Sequence, residues 1–289
     1  MAKTWFVTGS SRGLGRSIVT AALDAGDTVV ATARQPDALA DLAHPRLIPL
    51  ALDVTDAAAA TAAIATAVER VGRLDVVVNN AGQGLLGAFE EMTAVEFDAQ
   101  IDLNLFGVVN VSRAAIPVLR RQRAGHLIQV SSVGGRIGAP GLSGYQAAKF
   151  AVEGLSEVLW HELKPLGIHV TIVEPGAFRT DWAGASTAWA TPIEDYAGVR
   201  EFRSQAMRHP GKELGDPDRA ARAIVATAAL AVPPLRLPLG SDAYTYLKLA
   251  YESNLAELER TKHLTISTDF PEAESTVPKL SNVFDRRGA

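Results

Sequence analysis

The sequence predicts an α/β fold: a doubly wound parallel sheet in three α/β/α layers, forming a single domain with lid helices in its C-terminal part. Three observations carry the prediction. Short apolar runs alternate with stretches of helical periodicity through the first two-thirds of the chain. The runs are solidly apolar instead of alternating, as strands covered on both faces must be. Several end in glycine-bearing turns, which separates them from the helices that follow.

Taken in order, "TWFVTG" is the first strand and its turn. Leu14, Ile18 and Ala22 then recur at helical spacing up to Gly26, a natural helix stop. "TVVATA" is a second strand, rich in β-branched residues, and "RLIPLALD" a weaker third. Between Asp56 and Gly72, Ile64, Val68 and Val71 line one helical face. "LDVVVNNAG" is a continuous apolar strand, and a long helical pattern runs from about 94 to 122. "HLIQVSS", a helix containing "SGYQAAKFAVEG", and "HVTIVEPG" continue the rhythm. Residues 181–215 are less patterned, with Trp182, Trp189, Tyr196, Phe202 and Met207 interleaved with Arg200, Arg203 and Arg208. They are expected to form an apolar lid, because loops beyond strand ends commonly close over ligands. "DPDRAARAIVATAAL" reads as a helix capped by Asp216 with Pro217 in its first turn. "LRLPLG" is the last strand, and Ser241 opens a helix to about Lys262. The chain thus divides into 1–240, including the lid, and 241–289, a helix and an extended tail.

Composition removes several functions. A net charge of −4 with both signs scattered argues against general nucleic-acid affinity. There are no cysteines, which excludes disulfides, thiol nucleophiles and thiolate metal sites and suits a reducing, cytoplasmic location. None of the six histidines forms an i, i+4 pair with a nearby acid, so no metal site is expected. No apolar run reaches the roughly 20 residues that span a bilayer, so no membrane is expected either.

The turn "TGSSRGLG" links the first strand to the first helix. Gly9, Gly13 and Gly15 let backbone N–H groups approach a ligand, and the helix N-terminus behind them favours phosphate. Folds that bind NAD place an acid about twenty residues further on, for the ribose 2′-hydroxyl. Here that position holds Ala33 and Arg34, while Arg12 sits inside the glycine turn. Two guanidiniums match a 2′-phosphate, which selects NADP(H). Asp37 follows Pro36 and falls in the next helix.

Tyr145 and Lys149 lie four positions apart, on one helix face. A phenol titrates near 10, and a neighbouring ammonium is expected to lower that value and ease proton exchange with a carbonyl or alcohol. Ser132 ends a strand, where ligands of such sheets bind, and can donate to the same oxygen.

With these residues in view, the chain resembles the compact branch of the short-chain dehydrogenase/reductase family, over residues 3 to 240. "TGSSRGLG" matches the family's cofactor turn, implying contacts from Gly9, Ser11, Arg12, Gly13, Leu14 and Gly15 in a Rossmann-type fold. "LDVT" supplies an adenine side at Asp53 and Val54, and "NNAG" a turn at Asn80, Ala81 and Gly82. Asn104 in "DLNLFG", Ser132, and "YQAAK" match the catalytic set. "PGAFRT" matches the nicotinamide-side loop, from Pro175 and Gly176 to Thr180. The resemblance implies that Tyr145 is the general acid or base, that Ser132 positions the substrate oxygen, that Lys149 holds the nicotinamide ribose and tunes Tyr145, and that Asn104 anchors a relay water at a distortion of its helix. Ser131 and Asn80 read as mainly structural.

The expected function is NADP(H)-dependent interconversion of a carbonyl and a secondary alcohol on a mainly apolar small molecule. The alternative is a non-catalytic NADP(H)-binding redox sensor, which would have no use for a proton donor. A homodimer or homotetramer is expected through the helices at 94–122 and 143–164. Ala147, Phe150, Ala151, Gly154, Leu155, Val158 and Leu159, with Leu103, Leu105, Val108, Val109 and Val111, exceed one stripe.

Overall fold

The computed structural model describes residues 2–180, 187–206 and 211–270. Seven strands form one sheet: β1 (Thr4–Val7), β2 (Thr28–Ala33), β3 (Leu47–Ala51), β4 (Val76–Asn79), β6 (Gly125–Val130), β7 (Ile168–Pro175) and β9 (Arg236–Leu239). Their order is β3-β2-β1-β4-β6-β7-β9, and every pairing is parallel. The solid apolar runs are explained by cover on both sides. Trp5, Val7, Val29, Ala31, Val76 and Val78 face one core. Their neighbours Phe6, Val30 and Val77 face the other.

Helices α1 (Gly13–Asp24) and α7 (Pro217–Ala228) close the first core through Ile18, Val19 and Ile224. Helices α2 (Ala57–Val71), α4 (Gly107–Gln122) and α5 (Ser143–Leu163) close the second through Ile64, Val111, Leu119 and Leu163. Asp216 is the cap the sequence indicated, and α2 is capped at both ends. Asp56 accepts from Ala59 N at 2.9 Å to start α2, and Gly72 ends it at φ 79°. Asp216 accepts from Asp218 N and Arg219 N ahead of α7, with Pro217 in the first turn. After β2, Pro36–Leu42 forms a 3₁₀ turn that contains Asp37.

The stretch 94–122 is one helical run with a fault in it. Helix α3 (Ala94–Ile101) passes through a π-helical turn, Asp102–Phe106, into α4. By length and composition alone, Ala94–Gln122 is apolar enough to cross a membrane, although polar residues interrupt it and no unbroken apolar run reaches that length. Mean hydropathy over a window tolerates isolated polar residues that break a run. In the fold, α4 lies on the sheet and buries Val108, Val111, Ala115 and Leu119.

A second, two-stranded parallel sheet pairs β5 (Leu85–Leu86) with β8 (Ala188–Trp189). The expected lid contributes β8 and helix α6 (Ala197–Ala206). Its residues Trp182, Met207 and Arg208 lie outside the described residues. Helix α8 (Ser241–Ile266) ends four residues beyond Lys262 and buries only Ala243 and Leu247. The tail from 271 also lies outside the described residues. Val108 and Val111 are 2% and 0% exposed, so they belong to the protein's own core and not to a surplus for a partner.

Candidate active site

The sheet order reverses between β1 and β4: the chain runs outward from β1 to β3, then returns to β4 and continues the other way. The crevice beyond the carboxyl ends of these strands is where such sheets take ligands. The glycine turn after β1 and the "NNAG" turn after β4 both lie there, and hydrogen bonds lock them together. Thr8 Oγ1 accepts from Asn80 N and Ala81 N, and Asn80 Nδ2 donates to Thr8 O and Gly9 O. Asn80 thus ties the two turns together. Thr8 is a contributor that the sequence did not single out.

The glycine turn has room for glycine only. Gly9 has φ 64°, and a Cβ there would stand 2.8 Å from Ala81 Cα. A Cβ on Gly15 would stand 2.3 Å from Gly9 O. Helix α1 opens behind the turn with Arg12 at its cap, no side-chain cap bond and no acid in its first turn. Its leading N–H groups therefore face the crevice without a competing carboxylate, which fits a phosphate. Arg12 in the glycine turn and Arg34 just after β2 are both exposed. Hydrogen bonds from Thr55 hold the Asp53 carboxyl below its usual range, and the Arg34 charge adds to this. Arg16, also near, is committed to Asp41 and Ala38 O. Across the crevice, a Cβ on Gly13 would lie 3.5 Å from Thr180 Cβ, so the phosphate turn and the "PGAFRT" loop flank one space. Asp242 accepts from Ala177 N at 2.7 Å and pins that loop to α8. The residues present thus fit a dinucleotide.

Ser132, Tyr145 and Lys149 meet beside this cradle. Ser132 caps a short turn by accepting from Gly134 N at 3.0 Å, and it hydrogen-bonds with Tyr145. Lys149 is 3% exposed and donates to Val130 O at 2.8 Å, with Nζ 5.6 Å from the Tyr145 ring centre. A Cβ on Gly82 would stand 2.8 Å from Asn104 Oδ1 and 3.6 Å from Lys149 Nζ, so this glycine keeps the space between them open. The Asn104 side chain is fully occupied. It accepts from Gln83 N and donates to Gln83 O and Gln100 O.

One electrostatic expectation is corrected. Burial pushes Tyr145 up to about 12, and the Ser132 hydrogen bond works the other way. Lys149 does not lower it, because burial acts on the ammonium too and brings it down to about 8, against the opposing pull of Glu153.

Apolar walls complete the site. Leu86, Leu142 and Tyr145 form one buried cluster with Trp189 packed against it. Among the described residues, no group of three or more His, Asp or Glu could hold a metal ion.

A nucleotide cradle at a sheet switch point, beside a buried Ser–Tyr–Lys set, defines a class of dinucleotide-dependent oxidoreductases. The model of the family described as short chain dehydrogenase matches residues 3–191. The chain belongs to the short-chain dehydrogenase/reductase family and is an oxidoreductase of that family. It is 46% identical over 273 residues to Oxidoreductase BOA17 of Botryotinia fuckeliana, covering 93% of this chain and 100% of the relative. A solved short-chain dehydrogenase from Streptomyces avermitilis is 41% identical and superposes with a TM-score of 0.88, over 93% of this chain and 100% of that one. Structural neighbours bind either cofactor. An alcohol dehydrogenase from Thermococcus sibiricus (27% identity, TM-score 0.69, 83% and 96% covered) is complexed with 5-hydroxy-NADP. A family member from Burkholderia phymatum (25% identity, TM-score 0.77, 89% and 95% covered) is complexed with NAD.

Proposed function

We propose that this chain interconverts a carbonyl and a secondary alcohol on a mainly apolar small molecule, using NADP(H), with Tyr145 as general acid or base. The observation that carries the proposal is the buried Ser132–Tyr145–Lys149 set beside a glycine cradle flanked by two exposed arginines. The nicotinamide, when bound, supplies or accepts the hydride. In reduction, the Ser132 and Tyr145 hydroxyls hold the carbonyl oxygen between them. Tyr145 then passes its proton to that oxygen. A phenol near 12 still gives a proton readily to an alkoxide, which is the much stronger base. An ammonium has three donors. Lys149 spends one on Val130 O, which leaves others for ribose hydroxyls. With its amide occupied, Asn104 has its main-chain carbonyl to offer a relay water. It lies in the π-helical turn, where Gly107 N reaches back to Asp102 O.

Tyr145→Phe keeps the ring and removes the proton. NADPH oxidation with a ketone is expected to fall about 10²–10⁴-fold, with NADPH affinity changed little. Near-normal turnover would refute the role.

The NADP(H) preference rests on Arg12 and Arg34 and on the missing acid after β2. Arg34→Asp is expected to weaken NADPH binding at least tenfold in a fluorescence titration. Equal wild-type affinity for NADPH and NADH would sink the preference.

We also infer assembly of two or four copies through the outer faces of α4 and α5. Ala147, Phe150, Gly154 and Val158 form an exposed stripe on α5, and Phe106 lies exposed just before α4.

A further inference from the structure

Glu91 is one of the buried acids that the mechanism does not use. Glu91 lies in a 3₁₀ turn, Phe89–Glu91, just after β5, and its side chain is 1% exposed. Its carboxylate is fully engaged. Oε2 accepts from Ala88 N at 2.7 Å, while Oε1 accepts from Ile193 N at 2.8 Å and from Arg200 Nη2 at 3.4 Å. The bond to Ile193 spans 102 positions, so Glu91 ties the segment after β8 to the turn after β5. Arg200 completes the clasp. It also donates to Ala190 O at 3.4 Å and lies over the Trp189 ring, 5.3 Å from its centre. Trp189 in turn packs against the cluster of Leu86, Leu142 and Tyr145. The backbone holds the same strap: Ala190 N donates to Leu86 O at 2.8 Å, and Gly87 N to Gly141 O at 3.1 Å. Gly87 lets the two segments meet, since a Cβ there would stand 2.8 Å from Ala190 Cβ.

A carboxylate with no water to face is costly unless fully paired. Here it is paired to the one segment that carries Trp189. We propose that Glu91 is a positioning residue for substrate selection: through Ile193 N and Arg200 it fixes the Trp189 indole beside Tyr145, making Trp189 the wall that sets which apolar group may flank the carbonyl carbon. The role rests on the carbonyl reduction proposed above. A wall built of an indole and two leucines favours an aryl or long alkyl flank over a methyl group. The β5–β8 pairing places the Trp189 backbone, and the guanidinium held by the buried acid fixes the indole ring upon it.

The test is a double-mutant cycle with two ketones, acetone and acetophenone, read as the ratio of their kcat/KM values with NADPH. Glu91→Gln and Trp189→Ala are each expected to shift that ratio toward acetone by fivefold or more. Because Glu91 acts through Trp189, the double variant should match Trp189→Ala within about twofold. Glu90→Ala removes the exposed Tyr196–Glu90 bond and should leave the ratio within twofold. Hydrogen exchange gives a second readout: the amides of Ala190, Thr191 and Ile193 should exchange at least tenfold faster in Glu91→Gln, with α1 unchanged. An active wild type whose ratio is unmoved in Glu91→Gln, or additive single effects, would overturn the positioning role. A wild type that oxidises NADPH with neither ketone would instead defeat the proposed reduction itself.

Discussion

Burial sets the chemistry of both Tyr145 and Lys149, and it moves them in opposite directions. The phenol rises to about 12 and the ammonium falls to about 8, so within the ordinary working range it is the lysine that titrates. Because kcat/KM reports groups of the free enzyme, kcat/KM for ketone reduction should decline as pH rises through about 8, where the Lys149 charge is lost. Lys149→Arg keeps a charge at every pH. Its residual activity should be slower but lack that decline. A wild-type profile flat from pH 6 to 10 would contradict the assignment. At this scale, much of the site could be read from the sequence because its constraints are local. Gly9 and Gly15 stand where backbone must meet backbone, Gly13 takes a φ of 56°, and Tyr145 and Lys149 share a helix face. The clasp of Glu91, Arg200 and Trp189 could not be read that way. Its partners lie 102 and 109 positions apart, and an isolated Glu near a strand end looks like any surface acid. Thr8 was missed for a related reason: its role appears only once β1 and β4 are neighbours.

At the scale of elements, α5, β7 and β9 share a buried ionic knot. Arg236 on β9 contacts Glu153 at 3.1 Å and Glu157 at 2.8 Å on α5, and Glu174 on β7 at 3.4 Å. Arg136 adds a second guanidinium at 3.3 Å from Glu174 and lies over the Tyr251 ring of α8. Burial and the neighbouring Glu153 raise Glu174 to about 7, while the two arginines oppose this. Removing one arginine leaves more buried negative charge than positive. Arg236→Met should therefore cost about 3–5 kcal/mol, measured by urea unfolding. A folded-state pKa raised above the unfolded value means that the folded chain binds the extra proton. Stability from Glu174 is then present below the unfolded value near 4.5 and is lost as pH rises through about 7. The Arg236→Met loss should accordingly be larger at pH 8 than at pH 5. A loss below about 1 kcal/mol at both pH values would show that the knot is dispensable. The major elements were legible because each is long enough to show its period. β5 and β8, at two residues each, carry none. The π-helical turn leaves the apolar spacing of 94–122 nearly intact, so periodicity passes over it; only the resemblance around Asn104 pointed to a distortion there.

For the whole molecule, the proposed assembly follows from what the sheet leaves uncovered. The inner face of α5 is spent on Tyr145, Ala148, Lys149, Val152 and Ser156, all buried. The outer face keeps Phe150 at 47% and Val158 at 53% exposure, with Gly154 facing open space that would admit a second helix closely. Burying one such side chain is worth about 1.5–3 kcal/mol, and a two-fold contact buries each of them twice. The same helix carries Tyr145 and Lys149, so the contact would also hold the catalytic face in place. Analytical ultracentrifugation at micromolar concentration should find the wild type above the monomer mass of 30.6 kDa. Phe150→Asp with Val158→Asp places two charges on that face of each copy and should return the protein to the monomer mass. Because binding between folded copies stabilises them by mass action, the wild-type Tm should rise with protein concentration and that of the double variant should not. A wild type that sediments as a single species at monomer mass, with a Tm independent of concentration, would rule out the assembly and leave the α5 stripe as exposed surface.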